Sequence, residues 1–160
     1  MRRRHTHRGF TLIELVVTLA LLGVLAMLAA PLAETAVQRS REQALRASLR
    51  EIRDAIDSYR AAALQGRIVR NLGESGYPPS LAVLVSGVAD AQDPKGGRLY
   101  FLRRLPRDPF FADARADAQA TWGLRSYASP PDEPRDGDDV YDVYSTATGI
   151  ALDGTPYREW

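Results

Sequence analysis

Residues 15–33 read LVVTLALLGVLAMLAAPLA, nineteen positions without a charge. At about 1.5 Å per residue this is roughly 28 Å of helix, close to the hydrocarbon thickness of a bilayer. A basic head precedes it. Residues 1–9, MRRRHTHRG, carry four arginines and no acid, while the flank that follows carries both signs in Glu34, Arg39, Arg41 and Glu42. So long an apolar run beside a basic head reads as a membrane-spanning helix rather than a buried soluble one. The positive charge before it predicts a cytoplasmic N-terminus, with the remainder of the chain outside.

Such a start is ordinarily a secretory signal peptide, cut after the apolar run behind small residues. The cut sites available here are poor. Cleavage after Ala30 would place Pro31 next in line, and cleavage after Ala33 would place Pro31 three residues before the cut. The distinctive sequence lies instead ahead of the apolar run, in Arg8-Gly9-Phe10-Thr11-Leu12-Ile13-Glu14-Leu15. That octet resembles the prepilin peptidase site of type IV pilins and type II secretion pseudopilins. It combines a short basic leader, glycine before the cut, phenylalanine after it, and one glutamate five residues into the mature chain. The resemblance implies cleavage between Gly9 and Phe10 on the cytoplasmic side and N-methylation of Phe10. The apolar segment would stay attached and become the assembly helix, with Phe10, Glu14, Gly23 and Pro31 as its assembly residues.

Elementary electrostatics accords with that role for Glu14. A carboxylate costs about 2.5–3.5 kcal/mol at the bilayer centre, and less near its edge, so it wants a partner. Cleavage creates one, the α-amino group of Phe10, cationic near neutral pH. In a filament the amine of one subunit would meet Glu14 of its neighbour, against the bland alternative of a glutamate solvated at headgroup level. Pro31 removes the amide that would bond to the carbonyl of Met27, and Gly23 weakens a helix by about 1 kcal/mol. The resemblance implies that the stretch between them can extend or melt as subunits pack.

Beyond Glu34 the pattern becomes amphipathic. Leu45, Leu49, Ile52, Ile56, Tyr59 and Ala63 are spaced 4, 3, 4, 3 and 4, with Arg46, Arg50, Arg53, Asp54, Asp57 and Arg60 on other faces. This predicts a helical core stripe. Helix from residue 10 to about residue 64 would run roughly 80 Å if unbroken, ending at Gln65-Gly66. The following residues are rich in turn signals. Tyr77-Pro78-Pro79-Ser80 opens the apolar stretch 81–85, which predicts a short helix starting near Pro79, and strands are predicted over residues 122–129 and 140–145 flanking the acidic loop PPDEPRDGDD. The fold class is therefore α+β: a long N-terminal helix, membrane-spanning in its first half, packed on a small antiparallel sheet in a pilin-like arrangement. Four segments are expected: a leader (1–9), an assembly helix (10–33), an amphipathic periplasmic helix (34–65) and a globular head (66–160).

Composition removes most chemistry. The 160 residues contain no cysteine, which excludes disulfides, thiolate metal sites and cysteine nucleophiles. The two histidines, His5 and His7, both lie in the basic head, so Ser145, Thr146 and Thr148 have no histidine to act as a base. Lys95-Gly96-Gly97 lacks P-loop spacing, and the pair Asp138/Asp139 sits beside a turn. A net charge of +1 gives no sign of a nucleic-acid partner. No enzymatic activity is expected.

The head is similar to the G family, the major pseudopilins of type II secretion. The matching pieces are Tyr77-Pro78, Gly97 through Leu105-Pro106-Arg107-Asp108-Pro109, Ser126-Tyr127, Asp142-Val143-Tyr144-Ser145 and Trp160. The resemblance implies a single-pass inner-membrane protein with a periplasmic head, polymerising into a short filament that helps export folded proteins. Its partners would be further copies of itself, minor pseudopilins, prepilin peptidase, the inner-membrane secretion platform and the lipid bilayer. A type IV pilus subunit and a membrane-anchored periplasmic binding domain are the alternative readings. The family commonly places an acid-rich calcium loop after the Tyr-Ser position. Here residues 145–154 read STATGIALDG, with one acid and with Thr148 about where the family's first aspartate would stand. Calcium wants six to eight oxygens, usually including several carboxylates. No cofactor is therefore expected, and Ser145 and Asp153 are the weak calcium candidates.

Overall fold

The computed structural model describes residues 11–160, without the side chains of residues 28–32. Its contacts divide the chain into two compact units, Met1–Arg39 and Ser40–Trp160. One helix, α1 (Leu12–Leu64), contributes to both. Gly9 and Phe10 lie outside the described residues. Helical backbone continues through Gly23 and Pro31.

Thr11 starts α1. Its hydroxyl accepts the N–H of Glu14 at 3.3 Å, satisfying one of the orphan donors of the first turn. In the first unit, Leu12, Ile13, Leu15, Val16, Val17, Leu19, Leu21, Leu22, Val24 and Leu25 are all exposed. The one polar side chain of residues 15–27, Thr18, donates its hydroxyl to the carbonyl of Leu15 at 2.9 Å and so carries no unmet donor outward. Among the described residues no helix is long and apolar enough to cross a membrane. Residues 15–27 supply only thirteen of the nineteen uncharged positions, against the roughly 20 that a span requires.

In the second unit the predicted stripe is the core. Leu45, Leu49, Ile52, Ile56, Tyr59 and Ala63 are all buried, and each fully buried Leu or Ile contributes about 1.5–3 kcal/mol. The helix stops at a glycine. Gly66 takes φ +71°, a conformation open to glycine. The N–H of Gly66 then reaches the carbonyl of Ala63 at 3.1 Å and that of Arg67 reaches Ala62 at 3.0 Å, the paired bonds of a Schellman turn. Arg67 bonds Asp90 through Nε at 3.2 Å, and the N–H of Ala91 donates to the carbonyl of Arg67 at 2.8 Å, which fixes the first loop of the head.

The second helix, α2 (Leu81–Ser86), buries Leu81 and Leu84 and ends at Gly87, φ +73°. A side chain at Gly87 would place its Cβ 2.7 Å from the carbonyl of Leu99, so only glycine lets the two segments meet. They pair as β1 (Val88–Ala89) and β2 (Arg98–Leu99), antiparallel. A second antiparallel pair joins β3 (Trp122–Arg125) to β4 (Asp142–Ser145), with Trp122 opposite Ser145. The head is thus built on two two-stranded sheets, and the predicted α+β class holds. β3 is shorter than residues 122–129 because the N–H of Ser126 turns to the carbonyl of Arg135 at 2.8 Å and Asp139 takes the N–H of Tyr127 at 2.8 Å. Likewise β4 starts after Val140, whose N–H donates to the carbonyl of Pro78 at 2.8 Å.

Candidate assembly site and the clamp on the C-terminal segment

The expected processing residues Gly9 and Phe10 fall outside the described residues, and the side chain of Pro31 does too. Glu14 is exposed, in the first turn of α1. Gly23 is exposed as well, and a Cβ there would meet nothing within 4 Å. Thr11 caps the helix through the backbone N–H of Glu14, a role of Thr11 that the charge argument missed. Thr11-Leu12-Ile13-Glu14 has the T-x-x-E spacing of a capping box, a signal legible in the sequence itself. Around this polar start, apolar side chains face outward on every side of the helix, a surface that is stable only when something apolar covers it.

The head presents a different constellation. Three side chains of α1 grip the segment from Asp142 to Trp160. Glu42, buried, accepts the N–H of Leu152 at 2.9 Å and the hydroxyl of Tyr157 at 3.0 Å. One turn on, Arg46 pairs with Asp153 at 3.0 Å and lays its guanidinium 4.1 Å from the centre of the Trp160 ring. Arg53 donates to Asp142 at 2.7 Å, to the carbonyl of Val143 at 3.1 Å and to that of Trp160 at 2.6 Å. Tyr157 stacks on Phe110 with ring centres 4.2 Å apart and meets Trp160 edge-on at 5.3 Å. The amphipathic stripe therefore has polar neighbours with a defined purpose, which spacing alone did not reveal.

The two calcium candidates sit in unlike surroundings. Ser145 is buried, and its hydroxyl donates to Asp108 and accepts the N–H of Ala147 at 3.2 Å. Asp153 lies at the surface. The N–H of Thr155, then the Thr155 side chain and Arg46, hold its carboxyl below the usual carboxylate range against a smaller opposing effect of burial. Among the described residues no group of three or more His, Cys, Asp or Glu is placed to hold a metal.

Asp108 also explains the motif Leu105-Pro106-Arg107-Asp108-Pro109. The carboxylate is buried and accepts the N–H of Phe110 at 2.7 Å, and its own N–H donates to the Thr121 hydroxyl at 3.2 Å. The carbonyl of Pro106 accepts the indole N–H of Trp122 at 2.9 Å. Arg107 donates to the carbonyls of Ala116 and Asp113. The motif is a junction of hydrogen bonds, buried at Asp108, that ties the loop to β3 and β4.

Residues 4–30 match the family described as the prokaryotic N-terminal methylation motif. The chain is 30% identical over 142 residues to type II secretion system core protein G of Klebsiella pneumoniae, covering 83% of this chain and 91% of that protein. The chain belongs to the family of type II secretion system core protein G. Core protein G of Dickeya chrysanthemi is 28% identical over 159 residues, covering 96% of this chain and 95% of the relative. That of Klebsiella michiganensis is 29% identical over 115 residues, 69% of this chain and 73% of the relative. No solved structure is significantly similar to the chain. The pseudopilin resemblance drawn from the octet around Gly9-Phe10 and from the head motifs is borne out.

Proposed function

We propose that the chain is a structural, non-enzymatic subunit of a type II secretion pseudopilus. Prepilin peptidase cuts it between Gly9 and Phe10, and Phe10 is N-methylated. Residues 10–33 hold the processed chain in the inner membrane, with the N-terminus cytoplasmic and the head periplasmic. The same residues then pack copies into a periplasmic filament, alongside minor pseudopilins and on the inner-membrane platform, to help export folded proteins. One observation carries this reading: the methylation motif over residues 4–30 contains the first part of α1, where the apolar side chains of residues 12–27 are exposed on every side. Such a helix has two places to go, lipid or the helices of other copies.

Mass spectrometry of the mature chain tests it. The expected N-terminus is methylated Phe10, and a bulky replacement, Gly9→Leu, is expected to leave the full-length precursor inserted and uncut. A mature chain beginning after Ala30 or Ala33 would overturn the reading in favour of a secretory signal.

The head works without calcium in this proposal. The Ser145 hydroxyl and the Asp153 carboxylate are committed to protein partners, and Arg46 supplies positive charge where a cation would sit. The melting midpoint of the head is expected to be the same in calcium and in chelator. A rise of several degrees with calcium would overturn this.

A further inference from the structure

Two unlike surfaces lie on the head near the end of α1. The first is an open groove of ≈1040 Å³, lined by Tyr77, Tyr127, Pro130, Glu74, Asp136 and Asp138. Tyr77 and Tyr127 of this lining belong to a tyrosine cluster with Tyr141: Tyr77 lies 5.5 Å from Tyr127 and 5.0 Å from Tyr141, and Tyr127 lies 5.6 Å from Tyr141. Two of these rings already carry a guanidinium, Arg60 over Tyr77 at 5.0 Å and Arg125 over Tyr141 at 4.7 Å. Among the described residues Tyr127 carries none, although it is 59% exposed. The loop beside it, residues 130–139, holds five acids against Arg135. Arg135 is paired with Glu133, and Asp139 is held by the N–H of Tyr127. Asp136 and Asp138 make no hydrogen bond or ion pair among the described residues. Arg70 also lines the groove, and Asn71 donates to Glu74 through its backbone N–H at 2.9 Å.

The second surface is a shallower depression lined by Phe101, Arg103, Arg104, Glu51, Asp54 and Ser58. Arg103 and Arg104 are exposed, and no hydrogen bond or ion pair joins them to Glu51, Asp54 or any other described residue. The two surfaces flank α1 on different sides. Successive helix residues turn by about 100°, so Arg60, at the groove, lies about 120–180° around the helix from Glu51, Asp54 and Ser58.

We infer that the tyrosine–acid groove receives Arg103 and Arg104 of a second copy of this chain, an inference that rests on the self-assembly proposed above. A free tyrosine face takes a guanidinium, as its two neighbours already do, while Asp136 and Asp138 supply the charges that the exposed arginine pair lacks. Because the complementary patches differ and sit on different flanks, the contact is heterologous. Repeated from copy to copy it produces an open helical array instead of closing into a dimer. The contact sets the register of neighbouring heads, while the apolar helices supply the bulk of the association.

The experiment uses the full-length chain in cells that carry its secretion apparatus, scoring polymer released by shearing. Asp136→Arg with Asp138→Arg, or Arg103→Glu with Arg104→Glu, is expected to lower polymer about tenfold, since like charges then face each other. The four substitutions together are expected to restore it. Asp139 is left alone because it holds the Tyr127 loop, and unchanged melting of each variant head shows that folding is not the cause. Because the chain has no cysteine, Arg103→Cys combined with Asp138→Cys is expected to give oxidised ladders in wild-type-like filaments. Variant polymer at wild-type level, failure of the four-fold variant to recover, or filaments without ladders would overturn the docking. Wild-type chains that never polymerise would instead overturn the self-assembly reading beneath it.

Discussion

Along residues 12–27 of α1 the apolar side chains are exposed on every side, Leu19 at 60% and Leu22 at 61%, whereas from residue 45 one stripe is apolar and that stripe is buried, Leu45 and Ile52 at 0%. The backbone is the same α-helix throughout. The difference lies in what each half is built to meet. An all-round apolar surface finds its partners outside the chain, and its energy is realised on assembly. A stripe with charged flanks finds its partners within the chain, and its energy is realised on folding. Substitutions in the first half are therefore expected to change assembly and leave head stability alone, and those in the second half to do the reverse.

The largest expected effect is at Glu14. Glu14→Leu removes the carboxylate that a neighbour's Phe10 amine would meet, and breaking such a buried pair costs about 3–5 kcal/mol at each subunit added. Processed monomer is expected to accumulate in the membrane, with no sheared filaments. Glu14→Gln separates charge from capping, because glutamine also serves in a capping box. It is expected to fail like leucine. Normal filaments from Glu14→Gln would show that the charge of Glu14 is not needed for assembly.

Next is the paired test of the two halves. Ile56→Ala is expected to destabilise the head by about 2–5 kcal/mol in urea unfolding, while Leu19→Ala leaves the unfolding midpoint unchanged and weakens polymer yield. A Leu19→Ala shift comparable to that of Ile56→Ala would erase the distinction between the halves. A smaller effect belongs to the clamp. Arg53→Met keeps much of the apolar stem but leaves Asp142 and the carbonyls of Val143 and Trp160 without their donor, for a loss of about 1–3 kcal/mol. The expected signature is early loss of Trp160 fluorescence relative to far-UV ellipticity.

The smallest effects are those of pH on the head. Arg67 holds the Asp90 carboxyl below its usual range, and the N–H of Thr155 does the same for Asp153. Their contribution is present above the ordinary carboxylate value of about 4 and is lost as pH falls through the lowered values. Burial raises the Tyr59 and Tyr77 hydroxyls, with the charge of Glu74 adding to the effect at Tyr59. Folding thus favours their neutral forms, and stability is lost as pH rises above about 10. Urea midpoints measured across pH are expected to fall at both ends. A midpoint unchanged at low pH would show that the carboxylate contacts contribute nothing in solution.

Local signals were strong where the structure is local. Most of the basic head and most of the apolar run lie within residues 4–30, which match the N-terminal methylation motif, a pattern carried by residues close in sequence. The 4-3-4-3-4 spacing of Leu45 to Ala63 marked the core face, and Gln65-Gly66 marked the stop, because a Schellman turn depends on glycine at one position. Thr11 as cap of Glu14 was equally legible through its T-x-x-E spacing, but the charge argument drew attention away from it.

Other features needed the fold. Residues 88–89 and 98–99 carry no strand pattern, since two-residue strands are set by the approach of Gly87 to Leu99 rather than by propensity. The reach of Glu42, Arg46 and Arg53 to residues about a hundred positions away is invisible to spacing, as is the union of Tyr77, Tyr127 and Tyr141. The sequence by itself determined that one half of α1 is apolar all round and the other amphipathic, because helical periodicity is a property of neighbours one turn apart. Only the tertiary structure decided what the charged flanks of the second half hold and which tyrosine face is left open, because those contacts depend on chain reversals that no local pattern encodes.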